Sequence, residues 1–105
     1  DVPQGARVRL MMASHDKLID GAASAAAAAA DANTPALVLA VSCVGRRLVL
    51  GEGVDEELEE TLRCFPAGSQ QIGFYSYGEL APVGGQGCEL HNQTMTITAI
   101  SEAHP

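Results

Sequence analysis

The sequence predicts a single α/β domain with a mixed β-sheet, and three observations lead to this fold class. The stretch 15–32 is dominated by alanine, the residue with the strongest helix propensity. The next segment, 36–44, is almost continuously apolar, as in a central strand covered on both faces. Finally, 91–101 alternates apolar and polar residues, as in a strand with one buried face. We predict the order β-α-β-α-β-β, with the helices packed on the sheet and a final β-hairpin.

The first two elements follow from local patterns. Residues 7–13 place Val8, Leu10 and Met12 on one face, which predicts a first strand. Ser14 is a suitable N-cap for the helix 15–32, which Asn33, Thr34 and Pro35 end. A helix with side chains this small can lie very close to a sheet. Strand, helix and the apolar strand together suggest a right-handed parallel crossover.

The middle of the chain predicts a turn and a second helix. Residues 44–47 are expected to lead the chain out of the central strand, and 48–50 to form a short extra strand. Asp55 can cap the next helix, whose apolar stripe is formed by residues at i, i+4 and i+7 and whose outer face is acidic. These apolar residues are Leu58, Leu62 and Phe65.

The last part of the chain predicts two paired strands. In 72–77, Tyr75 and Tyr77 share one face and Phe74 anchors the other. We expect 91–101 to pair antiparallel with this strand. The segment 36–44 is then the central strand of the sheet.

Composition excludes several classes of protein. A chain of 105 residues fits one domain, and a net charge of −7 argues against nucleic acid or an anionic membrane as the main partner. Three cysteines without C-x-x-C spacing disfavour a disulfide framework or a structural zinc site, so we expect a reducing, cytoplasmic setting. No apolar run is long enough to span a bilayer, and no signal peptide is recognisable. The chain begins with Asp1, and we expect it to be a segment of a longer protein.

Four short blocks in order resemble one known family. They are Ser42-Cys43-Val44-Gly45-Arg46-Arg47, the pair Leu50-Gly51 before an acidic helix, Gly73-Phe74-Tyr75-Ser76-Tyr77-Gly78-Glu79 with Pro82, and His91-Asn92-Gln93-Thr94. Together they resemble the C-terminal part of a FIST domain, from about Pro3 to Ile100, and we assign the domain to residues 3–101. FIST domains are sensory modules of bacterial signal-transduction proteins and of some F-box proteins.

The resemblance implies a sensory domain that binds a small ligand such as an amino acid. It also implies two partners outside this chain: the N-terminal half of the FIST unit and a signalling output domain. Association between copies of the chain is left open. The family brings no established catalytic residue, and we expect no cofactor and no metal.

Seven residues are candidates for the ligand site. Arg46 and Arg47 follow the central strand at its carboxyl end, where a guanidinium can hold a carboxylate by two hydrogen bonds. The alternative is that they pair with the acidic helix or face water. Glu79 could receive an ammonium group, or be a solvated turn residue. The others line the expected hairpin: Tyr75, Tyr77, His91 and Asn92.

Each of those four has a structural alternative, and two other function classes remain open. The tyrosines could line a pocket or pack beneath another element, and His91 could be a structural hydrogen-bonding residue. An enzyme would use Cys43, His91 and Glu79 as nucleophile, base and orienting acid, but a thiol that ends an apolar strand is usually inert. An interaction module would use the acidic helix and exposed sheet surface without any ligand.

Overall fold

The computed structural model describes residues 1–103, without the side chains of residues 83 and 86. Its helices are α1 (His15–Ala29), α2 (Val44–Leu50) and α3 (Val54–Arg63), with a 3₁₀ turn at Gly51–Gly53. Its strands are β1 (Leu37–Cys43), β2 (Gln70–Ser76), β3 (Glu79–Val83), β4 (Gln86–His91) and β5 (Met95–Ile100). The predicted fold class, a single α/β domain with a mixed sheet, is confirmed.

The main sheet has three strands in the order β2-β1-β5. β1 pairs parallel with β2 and antiparallel with β5, so the segment predicted as the central strand is central. The predicted pairing of the last strand with the tyrosine strand is wrong, because both flank β1. The hairpin lies between them instead: β3 and β4 form a separate antiparallel pair, and the last strand begins at Met95 rather than at His91.

The predicted first strand is absent. Residues 7–13 form no strand, and Leu10 is 99% exposed. An alternating pattern produces a strand only where a neighbouring strand supplies hydrogen-bond partners. Within residues 1–103 none does so for this segment, so the predicted crossover through α1 is also absent. The parallel connection in this fold is the one from β1 through α2 and α3 to β2.

Helix α1 is close to its prediction. The Ser14 side chain caps it by accepting from the backbone N–H of Lys17, at 3.3 Å. It ends at Ala29, before the predicted Ala32. Ala22 and Ala26 are fully buried, and Ala26 packs with Val38 and Phe65 in one core cluster. The alanine tract is therefore part of the core.

Helix α2 replaces the predicted turn and short strand. Cys43 ends β1 and serves directly as the N-cap of α2. Arg46 and Leu50, four residues apart on one helical face, are both buried, and Leu50 packs against Leu18 and Ile19 of α1. This buried face, rather than local propensity, explains the helix.

Helix α3 is rotated relative to its prediction. It begins at Val54 with Gly53 as N-cap, so Asp55 lies in its first turn. Phe65 is buried as expected, but Leu58 and Leu62 are each 37% exposed, while Glu57 and Thr61 are almost fully buried. The inward face therefore carries polar groups with partners inside the fold.

The two faces of the main sheet have different surroundings. Val38, Ala40 and Ser42 of β1 are buried on the face that α1 covers. On the opposite face Phe74 is 60% exposed, so the expectation that it anchors that face is wrong. Its exposed neighbours there are Leu37, Ile72 and Ile100. The core of the described chain is one-sided.

Across the described chain, the helices lack the combination of length and apolar character that a bilayer span requires.

Candidate functional site: a cleft between α3 and the sheet

A cleft of about 190 Å³ opens between α3 and the carboxyl half of β1 and β2. One wall is Leu58 of α3, and the other includes Tyr75 and Met95. Ala40, Ser42 and Gly73 lie on the sheet surface between them, with Gly73 contributing only backbone. A Cβ at Gly73 would meet the backbone of Ala40 in the paired strand, so this position is restricted to glycine.

Gln71 joins α3 to β2 beside the cleft. Its side-chain oxygen accepts from Thr61 Oγ1 at 3.1 Å, and its Nε2 donates to the Leu58 carbonyl at 3.3 Å. The buried Thr61 hydroxyl lies 2.8 Å from the same carbonyl. These bonds hold the Leu58 wall at a fixed height above the sheet.

Ser42 is the unusual polar group in the cleft. Its side chain is only 5% exposed, yet its Oγ has no hydrogen-bond partner among the described residues. Leaving a buried donor without a partner costs about 1–3 kcal/mol. A group this costly at the surface of a cavity is available to a ligand.

Arg47 lies at the rim. Its guanidinium carbon is 5.1 Å from the centroid of the Tyr75 ring, within the range of a cation–π contact. No carboxylate lies within ion-pair distance of Arg47 in residues 1–103. Its charge is therefore available to an anion that approaches the Tyr75 side of the cleft.

Arg46 has a different role from Arg47. It is buried, and its Nε donates to Glu57 Oε1 at 3.0 Å, with a second bond from Nη2 to the same oxygen. It also donates to the carbonyls of Leu18, at 2.6 Å, and Gln93, at 3.4 Å. This is the stated alternative, pairing with the acidic helix, and it ties α2 to α1, α3 and the turn before β5.

Glu79 is likewise engaged inside the protein. It is buried, accepting from Ser76 Oγ at 2.7 Å and from the Thr94 backbone N–H and hydroxyl at 3.2 and 2.7 Å. These bonds fix the start of β3 against the turn into β5. The expectation of a solvated turn residue is wrong.

The remaining candidates lie around Glu79 rather than in the cleft. His91 is its register partner across the β3–β4 pair, and its Nε2 is buried without a partner among the described residues. Asn92 is exposed beside Gly78, and Tyr77 is 90% exposed in the turn after β2. The structure thus brings Glu79, His91 and Asn92 together, and separately Arg47 and Tyr75.

Ser42, Leu58, Gly73 and Met95 line the cleft but were not site candidates from the sequence. A serine within an apolar strand carries no signal by itself. The available clue was register: if 36–44 and 72–77 are parallel neighbours, Ser42 lies beside Tyr75.

The FIST C domain family model matches residues 1–82, which covers most of the chain. The chain belongs to the FIST C domain family. The match includes Arg46, Arg47 and the Gly73–Glu79 run, and it ends before His91. No curated protein and no solved structure gives a match. FIST C domains are of a sensory type, so this FIST C domain has a sensory role in signal transduction.

The ionisation of Tyr75 tests the geometry at the rim of this FIST C domain. Burial raises the pKa of Tyr75 above its ordinary value, and the nearby Arg47 guanidinium opposes that rise. In a Tyr77→Phe background Tyr75 is the sole tyrosine, and its ultraviolet titration should have a midpoint above about 10. Arg47→Gln should raise the midpoint further, whereas Arg9→Gln, in the exposed N-terminal segment, should leave it unchanged.

The same ionisation predicts a direction for stability. Because the folded-state pKa is raised, the unfolded chain loses the tyrosine proton first as pH rises. The contribution of neutral Tyr75 is fully present below pH about 10 and is lost as pH rises through the folded-state pKa. A midpoint that falls, or does not move, in the Arg47→Gln variant would contradict the cation–π geometry.

Proposed function

We propose that this FIST C domain is a cytoplasmic sensor that binds a small ligand, an amino acid or another small carboxylate, in the cleft between α3 and the sheet. The output lies in another part of the parent protein. The observation that carries the proposal is the buried Ser42 hydroxyl, which lies at a cavity without an internal partner. Arg47 and Tyr75 at the rim supply a cation and an amphipathic ring.

The proposed function involves no chemistry on the ligand. The enzyme alternative needs an accessible thiolate at Cys43, and this thiol is buried at the end of β1. Its intended acid, Glu79, is engaged with Ser76 and Thr94. These contacts support binding rather than nucleophilic catalysis.

Thermal-shift screening against amino acids and small carboxylates tests the proposal. A ligand present at 100 times its dissociation constant should add about 2.7 kcal/mol to the free energy of unfolding. The same panel should be applied to a longer chain in which the preceding FIST half is restored. If no compound raises the melting temperature of either chain, small-ligand binding is contradicted.

The second candidate function is an interaction module without a small ligand. The observation that favours it is the uncovered sheet face, where Ile72, Phe74 and Ile100 are exposed. A partner domain that covers this face would protect the β2 and β5 amides from hydrogen exchange. Such protection, together with a thermal-shift screen in which no compound raises the melting temperature, would favour the interaction module over the sensor.

A further inference from the structure

The cleft has a composition that selects among small ligands. Its walls are mainly apolar, formed by Leu58, Met95 and the Tyr75 ring. A cavity of about 150 Å³ can hold benzene, so about 190 Å³ suits a ligand of roughly six to eight non-hydrogen atoms. The occupant should therefore have a short apolar body.

The polar groups at the cleft are suited to an anion and not to a cation. Ser42 has a hydroxyl that is not used internally, and Arg47 has no ion-pair partner in the described chain. The lining includes no carboxylate. The side-chain oxygen of Gln71 accepts from Thr61 and, as part of a neutral amide, would not neutralise an ammonium group.

Of the acidic residues near the cleft, Asp55 is exposed outside the lining, and the two buried ones are engaged inside the protein. Glu57 pairs with Arg46, and Glu79 accepts three hydrogen bonds from Ser76 and Thr94. A zwitterionic amino acid would bring its ammonium group to an apolar wall without a partner, which carries a large desolvation cost. A carboxylate without an ammonium group avoids this cost.

We infer that the cleft selects a short aliphatic monocarboxylate without an α-ammonium group, its carboxylate held by Arg47 and the Ser42 hydroxyl and its apolar body lying against Leu58 and Met95. This inference rests on the proposed function and narrows its ligand class. The overall charge of −7 opposes an anion, but beyond about 8 Å that repulsion is screened at physiological salt. Among the charged side chains that act on Tyr75, Arg47 has the largest effect, ahead of Glu57, which is paired with Arg46, and the exposed Asp55.

Four compounds with one carbon skeleton test the inference: 3-methylbutanoate, 3-methylbutanamide, 3-methylbutylamine and valine. Calorimetric titration of the wild-type chain at constant ionic strength should show binding of 3-methylbutanoate. The neutral amide should bind at least about tenfold more weakly, because it loses the charge-assisted bond to Arg47. Valine and the amine should bind more weakly still.

Two variants locate the binding. Arg47→Gln should weaken 3-methylbutanoate binding about tenfold, with Arg9→Gln as the matched exposed control. Ser42→Ala should weaken it about fivefold, because the ligand loses the bond from the Ser42 hydroxyl. The melting temperature of the unliganded Ser42→Ala chain should be unchanged or raised, because a partnerless buried hydroxyl is removed. Ser24→Ala, exposed on α1, should change neither quantity.

The outcomes separate this inference from the broader proposal. Valine binding as tightly as 3-methylbutanoate would overturn the ligand class and leave a small-ligand sensor in place. The same holds if only other compounds of the thermal-shift panel bind. If 3-methylbutanoate binds both Ser42→Ala and Arg47→Gln with wild-type affinity, the cleft is not its site. Amide shifts in nuclear magnetic resonance spectra at residues 40–42, 58, 73 and 95 on titration of the wild-type chain would support the cleft even if a variant fails to fold, and an absence of shifts there would overturn it.

Discussion

Replacing Gly73 by alanine should lower the free energy of unfolding by about 3 kcal/mol or more. A Cβ built on Gly73 would overlap the carbonyl oxygen of Ala40 in β1 and lie 2.9 Å from its carbonyl carbon. The obstacle is backbone of the paired strand, which cannot rotate away as a side chain can. Relief requires β1 and β2 to separate, so the cost should reach or exceed that of typical core overpacking.

Gly21→Ala is the matched control for this prediction. Gly21 lies in α1, and a Cβ added there meets nothing within 4 Å. Alanine is the better helix former, so stability should rise by up to about 1 kcal/mol. Urea denaturation of both variants measures the two effects. Equal stability of Gly73→Ala and wild type would show that the strands are not in close register at this position.

Breaking the buried Arg46–Glu57 pair should have the largest effect of any side-chain change. Arg46→Met leaves the Glu57 carboxylate, which is 1% exposed, without its cation, and we expect a loss of about 3–5 kcal/mol. Glu57→Leu should cost a similar amount by leaving the guanidinium unpaired. The carbonyls of Leu18 and Gln93 also lose a donor in Arg46→Met.

The double variant Arg46→Met/Glu57→Leu separates the pair from its surroundings. An apolar pair of similar volume avoids the isolated charge, so the double variant should be more stable than either single variant. Arg63→Met, which breaks the exposed pair with Glu60, should change stability little. Additive losses in the double variant would mean that the two charges do not interact in the folded protein.

The sequence predicted those elements that are determined by local patterns. Alanine propensity and the Ser14 cap determine α1, and the almost continuous apolar run at 36–44 predicted a central strand, although helices cover only one of its two faces rather than both. Residues 7–13 show the limit of such patterns. Alternation of apolar and polar residues predicts which face of a strand would be buried, but it does not provide the neighbouring strand that the segment needs for hydrogen bonding. Helix α2 was not predicted, because it is stabilised by a contact between Arg46 and Glu57, which are 11 residues apart in the sequence.

The candidate site was only partly predicted, because some of its residues come together through contacts between distant parts of the sequence. Ser42 lies beside Tyr75 only through the parallel pairing of β1 and β2, which the sequence does not specify. Residue type alone could therefore identify the arginines and tyrosines as site candidates, but not Ser42. Glu79 and Arg46 looked like ligand groups because charged residues are usually exposed. In the structure each is buried with its partners, and the charge stabilises the fold instead.

The absence of a side chain at Gly73 also has a consequence for how such a cleft can diversify. Its base there is peptide backbone, shared with the β1–β2 pairing, and cannot be altered by substitution without loss of the sheet. Leu58 and Met95, on elements that flank the base, can change size while that pairing remains. Redesign of this cleft would therefore act through substitutions in its walls, with the depth below them held constant.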